Sequence, residues 1–430
     1  HILAKCNSIE TSLYNGSDNI SAELPKPVTS FGDLRTNYGF DHNVLENTAS
    51  MQYNLPSAVQ SSSIPILHKQ FHLVACAPTG TGKTAAFLLP IINQLASENI
   101  SGIQTDYKPS DKISPMALIL APTQELLRQI WADALRLSTG IAKPGQIVVL
   151  SRKHYANRGK LRNKGATSKN AYIKERCLPK LTKIIVATPQ RASFLFSLPP
   201  KDTPFDLKSL SWLVIDECDK MLESDFYTQL INKDIKNEMK SGHHIKSFHD
   251  QLKPLIGSIS SLLIKKHGLR RLTVALFSAT IPTEVLDWAK YELVDKPLKI
   301  THDSDRSTTS NITDFMLVHL QVGLKDASAS TVRQELKYCA TEQGKLLELR
   351  CMLARGMQYP CLIFLDSRKR AMEVFKEILL SNADILANFI SSEKTESQRE
   401  AIVRSFREGK INILICTNLL ARGIDFKVCR

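Results

Sequence analysis

Six short runs in the first 280 residues are apolar without any polar alternation: Phe71–Cys76, Met116–Leu120, Ile147–Leu150, Lys183–Val186, Trp212–Ile215 and Thr273–Phe277. A strand apolar on both faces must be covered on both, so these runs predict a parallel sheet enclosed by helices. Between them, Phe87, Ile91 and Leu95 recur at the spacing of one helical face, as do Leu126, Ile130 and Ala134. The alternation predicts an α/β chain built on a doubly wound sheet, whose ligands gather at the carboxyl ends of the strands. A second set follows at Cys361–Leu365, Asp384–Ala387 and Ile411–Cys416, and 430 residues suit two domains.

Other segments interrupt this plan. Residues 1 to about 30 are polar, carry Pro25 and Pro27, and read as a tail; residues 301–330, rich in Ser, Thr and Asp, read as a linker with an insertion. No run approaches the roughly 20 apolar residues of a membrane helix, so no membrane partner is expected. The chain begins at His1 without a basic and apolar leader, which reads as a fragment or a processed product. Nine cysteines include no Cys-x-x-Cys pair, and Cys76, Cys361 and Cys416 sit inside apolar runs. They read as small hydrophobes in a reducing compartment, not as a disulfide or zinc framework. Lys and Arg number 56 against 42 acidic residues, a formal charge of +14, which favours a polyanionic partner such as nucleic acid.

The chemistry lies where two of the runs end. After Cys76 comes Ala77-Pro78-Thr79-Gly80-Thr81-Gly82-Lys83-Thr84, followed by the first helical stretch. Glycines at 80 and 82 permit tight turns and let main-chain N–H groups approach phosphate oxygens. Lys83 supplies a charge for the β and γ phosphates of ATP, and the Thr84 hydroxyl can join a Mg²⁺ shell. Ala77 stands where the general loop has its first glycine. After Ile215 comes Asp216-Glu217-Cys218-Asp219. Asp216 would hold Mg²⁺ through water, and Glu217 is the candidate base for an attacking water. Cys218 reads as a packed residue.

Further motifs stand in a fixed order around these two: Gln60 in Leu55-Pro-Ser-Ala-Val-Gln60, Pro122-Thr123-Gln124-Glu-Leu126, Thr188-Pro189-Gln190-Arg191 and Ser278-Ala279-Thr280. From about Phe31 onward the chain resembles the DEAD-box RNA helicases. Glu342-Gln-Gly-Lys-Leu-Leu, Leu419-Leu-Ala-Arg-Gly-Ile-Asp425-Phe426 and Asp216–Glu223 look most like the branch that assists small-ribosomal-subunit RNA processing. The resemblance implies two RecA-like parallel-sheet domains in tandem. Residues 31–300 would be the ATP-binding domain, with insertions at about 151–176 and 231–270. Residues 331–430 would be a truncated C-terminal domain, since the family's arginine-rich final motif does not follow Asp425.

The same resemblance implies roles. Gln60 would read the adenine edge, Phe31 stack on the base and Asp425 bond the ribose. Asp219, Ser278, Ala279 and Thr280 would couple the nucleotide to RNA. Pro122, Thr123, Gln124, Thr188, Pro189 and Arg191 would meet RNA phosphates in the first domain, and Arg399 and Thr417 in the second. Gln124, Gln190, Glu396 and Asn418 depart from the family's pattern, and the paired glycines expected after Leu150 are missing. The implied protein is a monomeric ATP-dependent helicase acting on ribosomal precursor RNA, in the nucleus and nucleolus or the cytoplasm, with a protein cofactor. The alternatives are a non-catalytic ATP-dependent RNA scaffold or a fragment that hydrolyses ATP poorly.

From Arg152 to Arg176 nine Lys or Arg face one Glu, interleaved with Tyr155 and Tyr172. That stretch is either an RNA-gripping extension or a solvated loop. Lys265–Arg271 reads as a localisation patch or a charged helix end, and His243, His244 and His249 as loop residues.

Overall fold

The computed structural model describes residues 9–14, 23–101, 112–150, 156–157, 172–173, 178–196, 205–206, 209–222, 272–295, 316–323, 333–381, 385–391 and 394–417. The chain divides into two compact units, residues 1–329 and 330–430. In the first, the elements run β1 (Ile9–Tyr14), α1 (Gly32–Tyr38), α2 (His42–Ser50), α3 (Ala58–His68), β2 (His72–Cys76), α4 (Lys83–Ser101), β3 (Ala117–Leu120), α5 (Gln124–Leu137) and β4 (Ile147–Val149). They continue with β5 (Ala156–Asn157), β6 (Tyr172–Ile173), β7 (Ile184–Ala187), α6 (Pro189–Phe196), β8 (Trp212–Asp216), α7 (Cys218–Leu222), β9 (Thr273–Ser278), α8 (Thr283–Lys290) and β10 (Leu317–Val322).

Eight strands form one sheet in the order β1-β10-β2-β9-β8-β3-β7-β4. All its pairings are parallel except that of β1 with β10. The two-faced apolarity of the runs explains the layering. Leu73 and Ala75 of β2, Ala275 and Phe277 of β9, and Trp212 and Val214 of β8 enter one core with Phe87, Ile91 and Leu95 of α4 and Leu126, Ile130 and Ala134 of α5. Their neighbours Val74, Val274, Leu276, Leu213 and Ile215 enter the opposite core with Cys218, Met221, Val285 and Ala289. Helix starts are fixed by side chains: Ser57 and Gln60 form a reciprocal capping box on α3, and Thr123 caps α5.

Two strands occupy segments expected to be irregular. Leu317–Val322, inside the expected linker, pairs with β2 in the first unit's sheet, and Ile9–Tyr14, inside the expected tail, pairs with β10. Both lie at or beside the sheet edge, where one face needs no cover, so His319, Gln321, Glu10 and Ser12 break the apolar pattern.

The second unit holds α9 (Glu342–Arg355), β11 (Cys361–Leu365), α10 (Arg368–Ser381), β12 (Ala387–Ile390), α11 (Glu396–Arg407) and β13 (Ile413–Thr417). Its three strands are parallel, in the order β11-β13-β12, with α11 packed on one side and α10 on the other. The strand expected at 384–387 lies three residues later: Ile385 is buried ahead of it, and Leu386 is held by Asn412 instead of a strand ladder. Asp425 and Asn418, the 231–270 insertion with Lys265–Arg271 and its histidines, and all of the basic insertion but β5 and β6 lie outside the described residues. Among the described residues no helix is long and apolar enough to cross a membrane.

Candidate active site

Parallel pairing brings five first-unit motifs to one edge. The phosphate loop follows β2, Ser278–Thr280 follow β9, Asp216 ends β8, Thr123 follows β3 and Thr188 follows β7. The phosphate loop and Asp216 are separated by one strand, about 10 Å at the usual interstrand spacing.

In the loop Gly80 and Gly82 both take the left-handed backbone, at φ +77° and +88°. A Cβ on Gly82 would lie 2.3 Å from Gln60 Nε2. That amide donates to the Gly82 carbonyl at 3.1 Å, while Gln60 Oε1 accepts from the Ser57 amide at 3.0 Å. Gln60 is thus a buried brace between α3 and the loop. Thr81 Oγ1 donates to the Pro78 carbonyl at 2.7 Å and closes the turn across the exposed Thr79.

Lys83, the first residue of α4, folds back over this turn and donates to the carbonyls of Ala77 at 2.6 Å and Pro78 at 3.0 Å. Burial lowers its pKa, and the carboxylates of Asp216, Glu217 and Asp219 oppose that shift. A cation held against acceptors and short of full hydration is prepared to exchange those carbonyls for phosphate oxygens. Thr84 follows, half-buried, at the head of the helix.

At the end of β8 the chain turns sharply. Glu217 takes φ +54°, rare for a residue with a Cβ, and its amide donates to Asp216 Oδ1 at 3.0 Å. The turn leaves Asp216 buried at 4% exposure and Glu217 half-buried. Among the described residues no three His, Cys, Asp or Glu side chains gather as a metal cluster. One carboxylate and one hydroxyl, Asp216 and Thr84, fit Mg²⁺ bound chiefly through phosphate and water. Asp219 accepts from Thr280 Oγ1 at 2.8 Å, joining the acidic turn to the segment after β9. Ser278 is 1% exposed, and its hydroxyl makes no hydrogen bond among the described residues. Cys218 is fully packed and burial raises its thiol well above the ordinary range, in keeping with a packing role.

The expected RNA-contact residues continue along the edge. Thr123 Oγ1 accepts from the Leu126 amide at 3.3 Å, and Thr188 Oγ1 from the Arg191 amide at 3.4 Å. Each hydroxyl marks a helix start, where free backbone N–H groups attract anions. Pro122, Gln124 and Arg191 are half-buried and Pro189 is buried. Phe31 is 8% exposed and packs in the core around α1. In the second unit Thr417 ends the central strand and Arg399 lies on α11. Beside the expected residues the structure places Ser57, which bonds Gln60, and Cys76, which bonds Ala279. Only Ser57 had a sequence signal, the Ser-x-x-Gln capping box.

Comparison with known proteins places the chain in a family. The DEAD/DEAH box helicase family matches residues 57–288, and the helicase conserved C-terminal domain matches residues 344–430. The chain is 31% identical over 405 residues to "Probable ATP-dependent RNA helicase DDX52" of Rattus norvegicus, covering 94% of this chain and 54% of that protein. It is 31% identical over 411 residues to "ATP-dependent RNA helicase ROK1" of Eremothecium gossypii, covering 94% and 58%. The chain therefore spans about half the length of the curated relatives it matches. In fold it resembles Dbp5 of S. cerevisiae, solved bound to RNA and ADP BeF3, with a TM-score of 0.58 at 22% identity over 93% of this chain and 78% of that one. A family match that covers more than half of the chain and takes in the phosphate loop, the acidic turn and Ser278–Thr280 settles the kinship: this is a member of the DEAD/DEAH box helicase family.

Proposed function

We propose that the protein is an ATP-dependent RNA helicase that clamps RNA between two RecA-like domains and locally separates short duplexes in ribosome biogenesis. The observation that carries this reading is the placement of Lys83 and the Asp216–Asp219 turn one strand apart on the edge that also holds Thr123 and Thr188. ATP phosphates lie in the 77–84 loop, held by backbone amides and by Lys83, while Gln60 and Phe31 take the base. Mg²⁺ held near Thr84 and Asp216 would neutralise phosphate charge. Glu217 accepts the proton of a water whose oxygen attacks the γ-phosphorus, as the bond to the ADP oxygen breaks. Thr123, Thr188 and Arg191 hold RNA phosphates in the first unit, and Arg399 and Thr417 in the second, without reading bases. Closure around both ligands bends one strand, and phosphate release reopens the clamp. The resemblance gives Asp425 the ATP ribose, and a protein cofactor and nucleolar location follow from the family branch.

Glu217→Gln in the complete protein tests this. RNA-stimulated ATP hydrolysis is expected to fall on the order of a hundredfold or more, as for loss of a general base, with ATP-analogue affinity within a few fold of the parent. Undiminished hydrolysis, or duplex release with no dependence on ATP, would sink the reading.

A further inference from the structure

Beneath the phosphate loop a thiol ties together the ends of three adjacent strands. Cys76 is the last residue of β2, 6% exposed, with β9 on one side and β10 on the other. Its Sγ donates to the Ala279 carbonyl at 3.3 Å. Gln321 of β10 is the strand partner of Cys76 in register, and its side chain and the Ile281 amide both act on the thiol, opposing the rise that burial causes. The next residue, Ala77, donates its amide to the Ser278 carbonyl at 3.0 Å. Two successive residues, Cys76 and Ala77, therefore hold Ser278 and Ala279 against the root of the loop, and Thr280 next to them donates to Asp219 of the acidic turn. The contacts form an unbroken line from Gln321 through Cys76 and Ala279–Ile281 to Asp219. Burial pushes the Cys76 thiol up from its ordinary range, so it stays protonated and remains a donor at neutral pH.

We infer that Cys76, oriented by Gln321, is a positioning residue that transmits movement of the phosphate loop to the Ala279–Ile281 segment and so to Asp219. The inference deepens the ATP reading of the same site and rests on it. Volume alone is an inadequate account of the residue. An apolar side chain of that size would fill the space but would leave the Ala279 carbonyl without the thiol donor that now meets it. Gln321 lies outside the motifs of the phosphate loop, the acidic turn and Ser278–Thr280, and stands beside Cys76 in the strand register, so a change at Gln321 reaches those motifs first through Cys76.

The test compares Cys76→Ser, Cys76→Val, Cys76→Ala and Gln321→Leu in the complete protein by amide hydrogen exchange, with and without Mg·ADP, and by ATP hydrolysis with and without a single-stranded RNA oligonucleotide. In the parent, Mg·ADP is expected to slow exchange at 77–84 and also at 279–281. Cys76→Val and Cys76→Ala retain the first response and lose about fivefold of the second, the worth of one net hydrogen bond. They also lose a similar factor in RNA stimulation, seen in kcat with KM for ATP within about twofold. Cys76→Ser, which keeps a donor, recovers most of both effects, and Gln321→Leu falls between. If Cys76→Val matches the parent while Cys76→Ser does not, the residue only packs and the inference is overturned. Should the Cys76 variants fail to fold, an unchanged 279–281 response in Gln321→Leu overturns it instead. Absence of any response at 77–84 in the parent would remove the ATP reading itself, and this inference with it.

Discussion

Gly80 and Gly82 are two positions apart in the same loop and carry different demands. Both sit at positive φ, but a Cβ on Gly80 meets open space, whereas one on Gly82 meets the Gln60 amide. Gly80→Ala therefore costs backbone strain alone, while Gly82→Ala also evicts a buried amide from its bond to the Gly82 carbonyl. In urea unfolding of the nucleotide-free protein, Gly82→Ala should be less stable than Gly80→Ala by about 1 kcal/mol, the net value of that bond. Equal losses would show that Gln60 yields without cost. The placement of Lys83, Thr84, Asp216 and Glu217 after strand ends was legible in the sequence because each follows an apolar run. The double bonding of Gln60 and the part played by Cys76 were not legible. Both depend on which strands and helices become neighbours, and Cys76 taken alone reads as one more small hydrophobe.

The two-faced strands of the central sheet were legible for a physical reason: burial on both sides forbids polar residues. Where that constraint lifts, the reading failed, at β1 and β10 near the edge and at β12, whose Asn388 interrupts its apolar stretch. Elements also carry their own tests. His68 ends α3 and packs against Phe40 at 5.1 Å and edge-on to Tyr38 at 5.8 Å between ring centroids. Burial, aided by Lys69, lowers its pKa from 6.5. A folded-state pKa below the unfolded value means that protons bind the unfolded chain more tightly. The stability present above pH 6.5 is then lost as the pH falls through the folded-state value. Melting temperature should decline on that acidic side, and His68→Phe should flatten the decline while leaving alkaline stability little changed. An identical slope in the variant would place the titration elsewhere.

In the second unit, Gly344 lies in the first turn of α9, and a Cβ there would stand 2.0 Å from the Cys339 carbonyl oxygen. That oxygen is backbone, on a turn where Ala340 already takes φ +54°. The segment Arg333–Ala340 leading into the helix must therefore move if the helix gains a side chain. Gly344→Ala should destabilise the unit by about 2 kcal/mol, typical of an overpacked contact, and speed proteolysis within 333–340. Wild-type cleavage and unfolding would mean that the approach is not needed.

At the scale of the molecule, tandem organisation was legible because the apolar runs come in two sets. The strand at 317–322, placed in the first unit, was the part that a Ser- and Thr-rich stretch concealed. The charge of +14 allows two accounts of RNA binding that differ in a measurable way. If 56 Lys and Arg attract RNA diffusely, removing one of them alters the salt dependence very little. If the carboxyl edges of both sheets make discrete phosphate contacts, each lost contact lowers the slope of log affinity against log salt by about 0.7 for a single strand. Arg191 in the first unit and Arg399 in the second are the residues to remove. Arg191→Ala and Arg399→Ala should each reduce the slope by about that amount, equally for RNAs of different sequence, and the double variant by about twice as much. Additive slopes would count one phosphate contact in each unit. An unchanged slope in the double variant would move the RNA site away from these edges, with the basic sequence between Arg152 and Arg176 as the next to test.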